Sequence, residues 1–547
     1  MILSQPLSPL LALAFLGVQP TVGHKLRAEV LSVKSELRLD LTGSAWDAEN
    51  QKLTTLGPLD FCEVNVTLTH PGANDEVTIW VWLPLKQWNG RFQGVGGGGL
   101  QAGRYSLDTL GLAVKDGYAA AATDGSAFGD GANNPDPALF LKPGVLDLER
   151  LTNFAHRALH EVAVVGKAVT AGFYDTANFY SYWTGCSTGG RQGYELAQRY
   201  PEDFDGILAN APALHWSSFV LALGWGRHAM RVTGHTPTFC AMQAFTASSI
   251  DACDALDGVQ DGVISDPNAC HFDPSSLVGE KVKCMDETTQ VITEEDVTIA
   301  TMIREGPKSS RGRKLWDGHD RGINYLGLVP AAVSGIPEAM DRLVDSWIEY
   351  FIEKDVKFDV STLTAIDDMT DLFAVAPGTY DSIIGSNNPD LSAFRDAGGK
   401  LISWHGTADQ LIMINNTIRY REQVEAVMGG ADLVDDFYKF YLAPGVGHCE
   451  GEAGATPRKV LDALVAWVEK AEDPGRLSGT MKNLDGEEAE RIICPYPLVP
   501  RYDGVSDPND ARSFDCATSF RPNVTRCRGL NDAACIVSGS YGSYSLI

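Results

Sequence analysis

The stretch from 180 to 193 decides the fold, and it reads YSYWTGCSTGGRQG. Its first half has the pattern of an apolar strand, and its second half is a glycine-rich turn that leads into a helix. Within the turn, residues 185–189 (GCSTG) match the G-x-S-x-G pattern of a nucleophile elbow. Such an elbow is a sharp strand-to-helix turn that exposes a serine hydroxyl, and its glycines allow the tight bend. The pattern predicts Ser187 as a nucleophile.

The residues around this turn have the pattern of a β-α-β unit. The predicted helix ends near Tyr200 and Pro201, and residues 204–209 (FDGILA) then predict the next buried strand. A five-residue pattern also occurs by chance in an ordinary strand, turn and helix. The β-α-β context favours the nucleophile elbow over that alternative.

Length and charge restrict the class of protein. The chain has 547 residues, of which 44% are hydrophobic, so we expect one large globular domain with a sizeable insertion. Its formal net charge of −27 argues against binding to nucleic acid, which needs clustered Lys and Arg side chains. The charge is typical of an acidic, solvated surface.

Several features predict a secreted glycoprotein. An apolar run at 9–18, followed by small residues at 21–23, predicts a signal peptide over 1–23, with a buried first strand as the alternative. No later stretch is long enough to span a membrane. The sequons begin at Asn65, Asn415 and Asn523. Eleven cysteines in an exported chain indicate disulfide bonds and at least one unpaired thiol.

Two later strands supply partners for the serine. Residues 400–409 (KLISWHGTAD) read as an apolar strand that places Asp409 at its carboxyl end. A strand at 437–442 then leads into a glycine loop with His448. The chain order Ser187, Asp409, His448 is that of α/β-hydrolase triads, in contrast to the order in other triad folds.

A glycine run is the candidate oxyanion hole. Residues 91–100 (RFQGVGGGGL) form an apolar strand that continues into four glycines, where backbone NH groups can approach a substrate oxygen closely. We expect the NH groups of Thr188 and Gly98 to hold the oxyanion. A flexible linker is the alternative.

Residues 213–395 differ in character from the rest of the chain. They contain helical patterns, loops and cysteines but no series of buried parallel strands. The predicted fold is therefore an α/β-hydrolase fold with a large inserted lid domain at 213–395. The catalytic domain would comprise residues 24–212 and 396–547.

The predicted lid contains a candidate metal site. Residues 253–264 (CDALDGVQDGVI) place Asp254, Asp257 and Asp261 on one glycine-rich loop. Three anions this close favour a neutralising cation, and oxygen ligands suit calcium. The spacing is not that of an EF-hand, and a solvated acidic turn is the alternative.

The chain resembles the fungal tannase and feruloyl esterase family. The resemblance runs from about Phe61 to Cys516 and rests on the motifs GCSTGGRQG, HGxxD and GHC at 185–193, 405–409 and 447–449. It implies calcium as a structural cofactor, with backbone oxygens of Val259 and Val263 completing the aspartate ligands. It also implies the disulfide bonds Cys186–Cys449, Cys253–Cys270 and Cys494–Cys516. The pairing of the remaining cysteines stays open, namely Cys62, Cys240, Cys284, Cys527 and Cys535.

The resemblance implies two-step hydrolysis of phenolic-acid esters by Ser187, His448 and Asp409. Feruloyl esters, free or linked to plant cell-wall polysaccharides, are the first hypothesis for the substrate. Galloyl esters are the second, and aromatic polyesters are the third. A catalytically inactive secreted binding protein is an alternative of another class. We expect no nucleic-acid or membrane partner, and the sequence leaves the oligomeric state open.

Overall fold

The computed structural model of the chain describes residues 27–47, 52–103, 105–129, 133–136, 139–325, 328, 336–451 and 453–519. The predicted signal peptide, the sequon at Asn523, Cys527 and Cys535 lie outside these residues. None of the helices within them is both long enough and apolar enough to cross a bilayer.

The strands of the described residues fall into one large sheet and several small ones. In chain order they are β1 (Glu29–Asp47), β2 (Lys52–Thr69), β3 (Val77–Pro84), β4 (Arg91–Val95), β5 (Ala119–Thr123), β6 (Phe140–Lys142), β7 (Val145–Leu146), β8 (Tyr180–Cys186), β9 (Gly206–Asn210), β10 (Lys281–Lys283), β11 (Thr289–Val291), β12 (Lys400–Gly406), β13 (Tyr438–Ala443), β14 (Thr456–Arg458), β15 (Leu477–Lys482), β16 (Glu488–Ile493), β17 (Leu498–Tyr502) and β18 (Phe514–Thr518).

The α-helices lie between these strands and pack on the large sheet or in the insertion. In chain order they are α1 (Leu112–Lys115), α2 (Leu148–Thr152), α3 (Ala158–Tyr174), α4 (Thr188–Arg199), α5 (Trp216–Leu223), α6 (Trp225–Thr233), α7 (Phe239–Cys253), α8 (Glu294–Glu305), α9 (Ile336–Ser346), α10 (Ile366–Ile384), α11 (Ser392–Asp396), α12 (Ile414–Met428), α13 (Ala431–Asp435) and α14 (Val460–Lys470).

The large sheet has the order β1-β2-β3-β5-β4-β8-β9-β12-β13. Its first four strands pair antiparallel, and the pairs from β5–β4 to β12–β13 are parallel. Parallel strands end at the same edge of a sheet, and ligand sites of open α/β sheets lie at this edge. The loops after β4, β8, β12 and β13, which carry the predicted site residues, therefore meet there.

Side chains are buried on both faces of the large sheet, as the alternation of successive residues along β8 shows. Tyr182 and Trp183 are both fully buried, but they belong to cores on opposite faces. Successive side chains of a strand point to opposite faces, so a strand buried on both sides reads as a continuous apolar run. This is why residues 180–183 are recognisable as a strand from the sequence.

The chain leaves the sheet after β9 and returns at β12, and these two strands pair directly. Helices α5 to α11 and the hairpin of β10 and β11 lie in this insertion, with a core that contains Trp216, Trp347 and Tyr380. The predicted boundary after Arg395 falls within α11, whose Phe394 packs in the core beneath the sheet.

The structure differs from the sequence prediction at both ends of the catalytic region. The sequence predicts no strands after α14, but β15 and β16 form a sheet there with β14, which precedes the helix, and β17 and β18 form a second sheet. Strand β15 alternates buried and exposed residues, which is the pattern of a half-buried strand. The long edge strand β1 was also not predicted.

Candidate active site

The turn between β8 and α4 holds Ser187 in a strained conformation. Its φ is 63° and its ψ is −122°, and its backbone NH donates to the Asn210 carbonyl at 3.0 Å. Non-glycine residues rarely adopt a positive φ, and such strain is concentrated at functional sites. A Cβ on Gly185 would lie 2.5 Å from the backbone of Gly189, which explains why the turn needs glycine. The geometry is that of a nucleophile elbow.

The acid and the base come from the loops after β12 and β13. Asp409 is buried, and its Oδ2 lies 2.9 Å from Nδ1 of His448. An ionised carboxylate only accepts hydrogen bonds, so the His448 Nδ1 atom carries the proton. Nε2 of His448 is then left with a lone pair and can act as a base.

Four donors surround the carboxylate of Asp409. Its Oδ1 accepts from the NH groups of Leu411 and Ile412, both at 2.8 Å, and its Oδ2 accepts from His405 and His448. Burial opposes ionisation, but the charge of His448 and the hydrogen bonds of both histidines outweigh it and hold the pKa of Asp409 far below its usual range. Asp409 is therefore ionised at neutral pH.

The sequence identified His405 only as part of a motif, but the structure places it in contact with the catalytic acid. The side chain is fully buried, and Nε2 lies 2.9 Å from Asp409 Oδ2 while Nδ1 lies 2.9 Å from Thr417 Oγ1. A histidine inside an otherwise apolar strand, four residues before the acid, is the signal that could have indicated this contact.

Ser187 and His448 line the same cavity of about 390 Å³. Among the described residues, no hydrogen bond is formed by Ser187 Oγ, so the serine and the histidine share the cavity without a direct hydrogen bond. Contacts of this kind are often long in the resting enzyme and tighten when substrate binds. The other lining residues are Gly96, Gly97, Gly98, Gly99, Thr109, Asn133, Cys186, Thr188, Ala213, Trp216, Phe219, Leu223, Leu343, Leu411, Ile412 and Cys449.

The glycine run after β4 lies beside the nucleophile. Gln192 accepts from the Gly97 NH at 3.0 Å and donates to the Ala102 carbonyl at 2.8 Å, so it fixes the run from helix α4. The Gly97 NH is thus engaged, and Gly98 forms an antiparallel bridge with Gln101, whose NH donates to the Gly98 carbonyl at 3.0 Å. No acceptor for the Thr188 NH occurs among the described contacts. Gly98 and Thr188 both line the cavity, where an oxyanion hole would lie. The role of Gln192 was missed because its partners are distant in sequence.

Four disulfide bonds occur in the described residues. Three are the pairs implied by the resemblance, Cys186–Cys449, Cys253–Cys270 and Cys494–Cys516. The fourth joins Cys240 and Cys284, which the sequence left open. Cys62 is a buried free thiol, and burial raises its pKa.

The predicted metal loop is compact, but two of its carboxylates bond to other groups of the protein and do not simply surround a metal position. Asp254 accepts from the NH groups of Asp261, Gly262 and Val263, and Asp261 Oδ2 pairs with Arg491 at 2.6 Å. In the described part of the chain, no three His, Cys, Asp or Glu side chains converge as a metal site.

Two observations on the loop nevertheless fit a cation. Asp261 Oδ1 is buried and has no partner among the described residues. Burial, with Asp257 and Asp254 nearby, raises the pKa of Asp261 to about 6 although Arg491 opposes this, and burial also raises the pKa of Asp257. In the described contacts only Asp261 pairs with the Arg491 guanidinium, and a divalent cation would stabilise the charged forms of the carboxylates.

Comparison with known proteins agrees with this geometry. The family model described as tannase and feruloyl esterase matches residues 62–517. A probable feruloyl esterase of Arthroderma benhamiae is 44% identical over 90% of this chain and 92% of its own. Tannin acyl hydrolase from Aspergillus niger superimposes with a TM-score of 0.81 at 26% identity, covering 92% of this chain and 94% of that one. Feruloyl esterase B from Aspergillus oryzae gives a TM-score of 0.73 at 27% identity, with coverages of 90% and 97%.

The nucleophile elbow, the buried acid and the histidine on a parallel sheet define a serine hydrolase of the α/β-hydrolase fold that acts on carboxylic esters. The family match extends over most of the sequence. The chain belongs to the tannase and feruloyl esterase family, which confirms the resemblance.

Proposed function

We propose that this chain is a secreted esterase that releases ferulic acid from feruloyl esters, including esters of plant cell-wall polysaccharides. The observation that carries the proposal is the cavity beside Ser187, which is large enough for an aromatic acid and is lined mainly by apolar side chains. Four disulfide bonds support an oxidising, extracellular location.

The site residues account for ester hydrolysis in two steps. Ser187 Oγ attacks the ester carbonyl while His448 Nε2 takes its proton, and the NH groups of Thr188 and Gly98 hold the resulting oxyanion. His448 then gives the proton to the leaving alcohol, which leaves an acyl-serine. A water molecule then attacks the carbonyl of the acyl-serine while His448 takes its proton, and this releases the acid and regenerates Ser187. Asp409 stabilises the protonated His448 in both steps.

The cavity favours a feruloyl over a galloyl group. Among its described lining, Trp216 and Phe219 offer aromatic surfaces and no Asp, Glu, Lys or Arg is present. Apart from Ser187 and His448, the polar side chains of the lining are the neutral ones of Thr109, Asn133 and Thr188. A galloyl ring carries three hydroxyl groups, and each one buried without a partner costs about 1 to 3 kcal/mol. A feruloyl ring has one hydroxyl and one methoxy group. The likeness to tannin acyl hydrolase keeps the galloyl ester as the second candidate.

An exposed aromatic side chain near the cavity supports a sugar-linked substrate. Trp46 is 44% exposed, its indole NH donates to Glu450 at 2.6 Å, and its backbone NH donates to Asp108 at 2.9 Å. Glu450 and Asp108 are the chain neighbours of Cys449 and Thr109, which line the cavity. The indole is thus fixed near the cavity with part of its surface open, and sugars can stack on such an aromatic face.

A panel of esters tests the substrate. The wild type should hydrolyse methyl ferulate with a kcat/KM at least about tenfold above that for methyl gallate, because unpaired galloyl hydroxyls destabilise the bound ring. The kcat/KM values for methyl caffeate and methyl p-coumarate should lie between those two values or near the value for methyl ferulate. A preference for gallate would overturn the proposal in favour of a tannase.

The same panel should include a feruloylated xylo-oligosaccharide. Trp46→Ala should raise its KM several-fold and leave methyl ferulate unchanged, because only the sugar contacts the indole. Leu53→Ala is the matched control, since Leu53 is exposed and lies opposite Trp46 in the β1–β2 pair. If Trp46→Ala and wild type have equal KM values for the feruloylated xylo-oligosaccharide, the Trp46 indole does not bind the sugar.

We also propose that the loop of Asp254, Asp257 and Asp261 binds calcium, with backbone oxygens of Val259 and Val263 as further ligands. The loop joins the insertion to the catalytic region, because Arg491 lies on β16 and Val263 packs against Gly445 of the histidine loop. A bound cation would therefore stabilise both parts of the molecule.

Chelation should lower the melting temperature, since a ligand that binds only the folded state stabilises it. Differential scanning calorimetry with and without EDTA, alongside metal analysis of the purified protein, measures this. Added calcium should restore the transition, and Asp257→Asn should abolish the response. A protein that contains no metal and melts at the same temperature in EDTA would contradict the calcium site.

A further inference from the structure

We propose that His405 is a positioning residue for the catalytic acid and that it controls how strongly Asp409 holds the proton on His448. The proposal concerns ester hydrolysis itself and does not depend on which acyl group the cavity accepts. It rests on the contacts of a fully buried histidine that the triad does not include.

The proton on His405 can be assigned from its neighbours. Nε2 lies 2.9 Å from Asp409 Oδ2 and 3.1 Å from the Ile412 carbonyl oxygen, and neither of these atoms can donate. Nε2 must therefore carry a hydrogen. Nδ1 lies 2.9 Å from the hydroxyl of Thr417, and this hydroxyl can donate to Nδ1 when Nδ1 carries no proton.

His405 shares one oxygen of Asp409 with the catalytic base. Oδ2 accepts from both His405 and His448, each at 2.9 Å. A carboxylate oxygen that already accepts a hydrogen bond attracts a second proton less strongly. The hydrogen bond from His405 therefore weakens the attraction between the Asp409 carboxylate and the proton on His448. It also fixes the orientation of the carboxylate.

The other titratable group that faces Asp409 comes from the insertion. His319 is buried beside the backbone of Asp409, and burial lowers its pKa to about 4. It therefore stays neutral across the neutral pH range. His405 and His448 are the ionisable side chains in direct contact with the Asp409 carboxylate among the described residues.

The test compares His405→Leu with His405→Gln, since the Gln side-chain amide can place a donor near the position of Nε2. His405→Leu should lower kcat on the order of tenfold or more, with KM within about twofold of wild type. Because Asp409 then has one hydrogen-bond donor fewer and attracts the His448 proton more strongly, the acidic limb of the kcat/KM profile should move up by about one pH unit. His405→Gln should restore most of kcat and the wild-type limb.

A second variant keeps the proposal testable if His405→Leu does not fold. Thr417→Val removes the hydroxyl that orients the ring and should shift the acidic limb in the same direction by a smaller amount. Thr417 also completes the sequon at Asn415, so Asn415→Gln is the matched control. Methyl ferulate, or 4-nitrophenyl acetate if ferulate is not a substrate, serves as the probe. Lower melting temperatures with unshifted pH profiles would show a purely structural role and overturn the proposal.

Discussion

Replacement of Ser187 with alanine should reduce kcat for ester hydrolysis by a factor on the order of a million, which leaves only trace activity. The serine supplies the attacking oxygen, and without it no acyl-enzyme forms. Its hydroxyl makes no hydrogen bond among the described residues, so the melting temperature should change little. Steady-state kinetics and thermal unfolding of the purified variant measure both effects.

Ser181→Ala is the matched control for this substitution. Ser181 lies on β8, the strand that leads into the Ser187 turn, and its hydroxyl donates to Asp205 at 2.8 Å. That variant should lose some stability and keep wild-type kcat. Retention of more than a few per cent of turnover by Ser187→Ala would exclude Ser187 as the nucleophile.

The second large effect concerns the disulfide bond between Cys186 and Cys449. These residues are the chain neighbours of Ser187 and His448, their Cα atoms are 5.9 Å apart, and the bond joins positions 263 residues apart. Cys449 has a φ of 68° and Ser187 one of 63°, so the bond links two strained turns. Strain of this kind persists only where the surrounding structure enforces it.

Replacement of both cysteines with alanine should lower kcat on the order of tenfold to a hundredfold, because small displacements of reacting groups are costly. In the chain-entropy model, loss of so long a loop also removes roughly 5 kcal/mol of stability. Kinetics at a temperature where the variant stays folded separate the two effects. KM should change little.

The double replacement of Cys494 and Cys516 is the control. That disulfide bond closes a separation of 22 residues, which corresponds to roughly 3 kcal/mol in the same model. It joins β18 to the residue after β16, and neither cysteine is among the described lining of the cavity, so kcat should be kept. If the double alanine variant of Cys186 and Cys449 keeps the wild-type kcat at a temperature where it is folded, the disulfide bond contributes to stability alone.

The central part of the fold could be predicted because its signals are local. Strands β4, β8, β9, β12 and β13 are buried on both faces and appear as apolar runs, and each of the loops after β8, β12 and β13 carries one triad residue. The order of Ser187, Asp409 and His448 then restricted the topology. The edge strand β1 was missed because its mostly exposed residues do not form such a run.

The rest of the site depends on contacts between distant residues. The bond from Gln192 to Gly97 spans 95 positions, and the ion pair of Arg491 and Asp261 spans 230. No pattern in one stretch of sequence predicts such pairs. His405 was visible in its motif, but its role depends on the direction of its ring and on Thr417, which only the folded structure shows.

Labelling with a fluorophosphonate that modifies activated serines tests the central claim most directly. Peptide mass spectrometry should find one adduct, on the peptide that contains Ser187, and Ser187→Ala should take up none. Hydrolysis of methyl ferulate should fall in proportion to the labelled fraction of Ser187. Hydrolysis that continues at full rate after Ser187 is completely labelled, or inactivation with the label on another residue, would contradict the account.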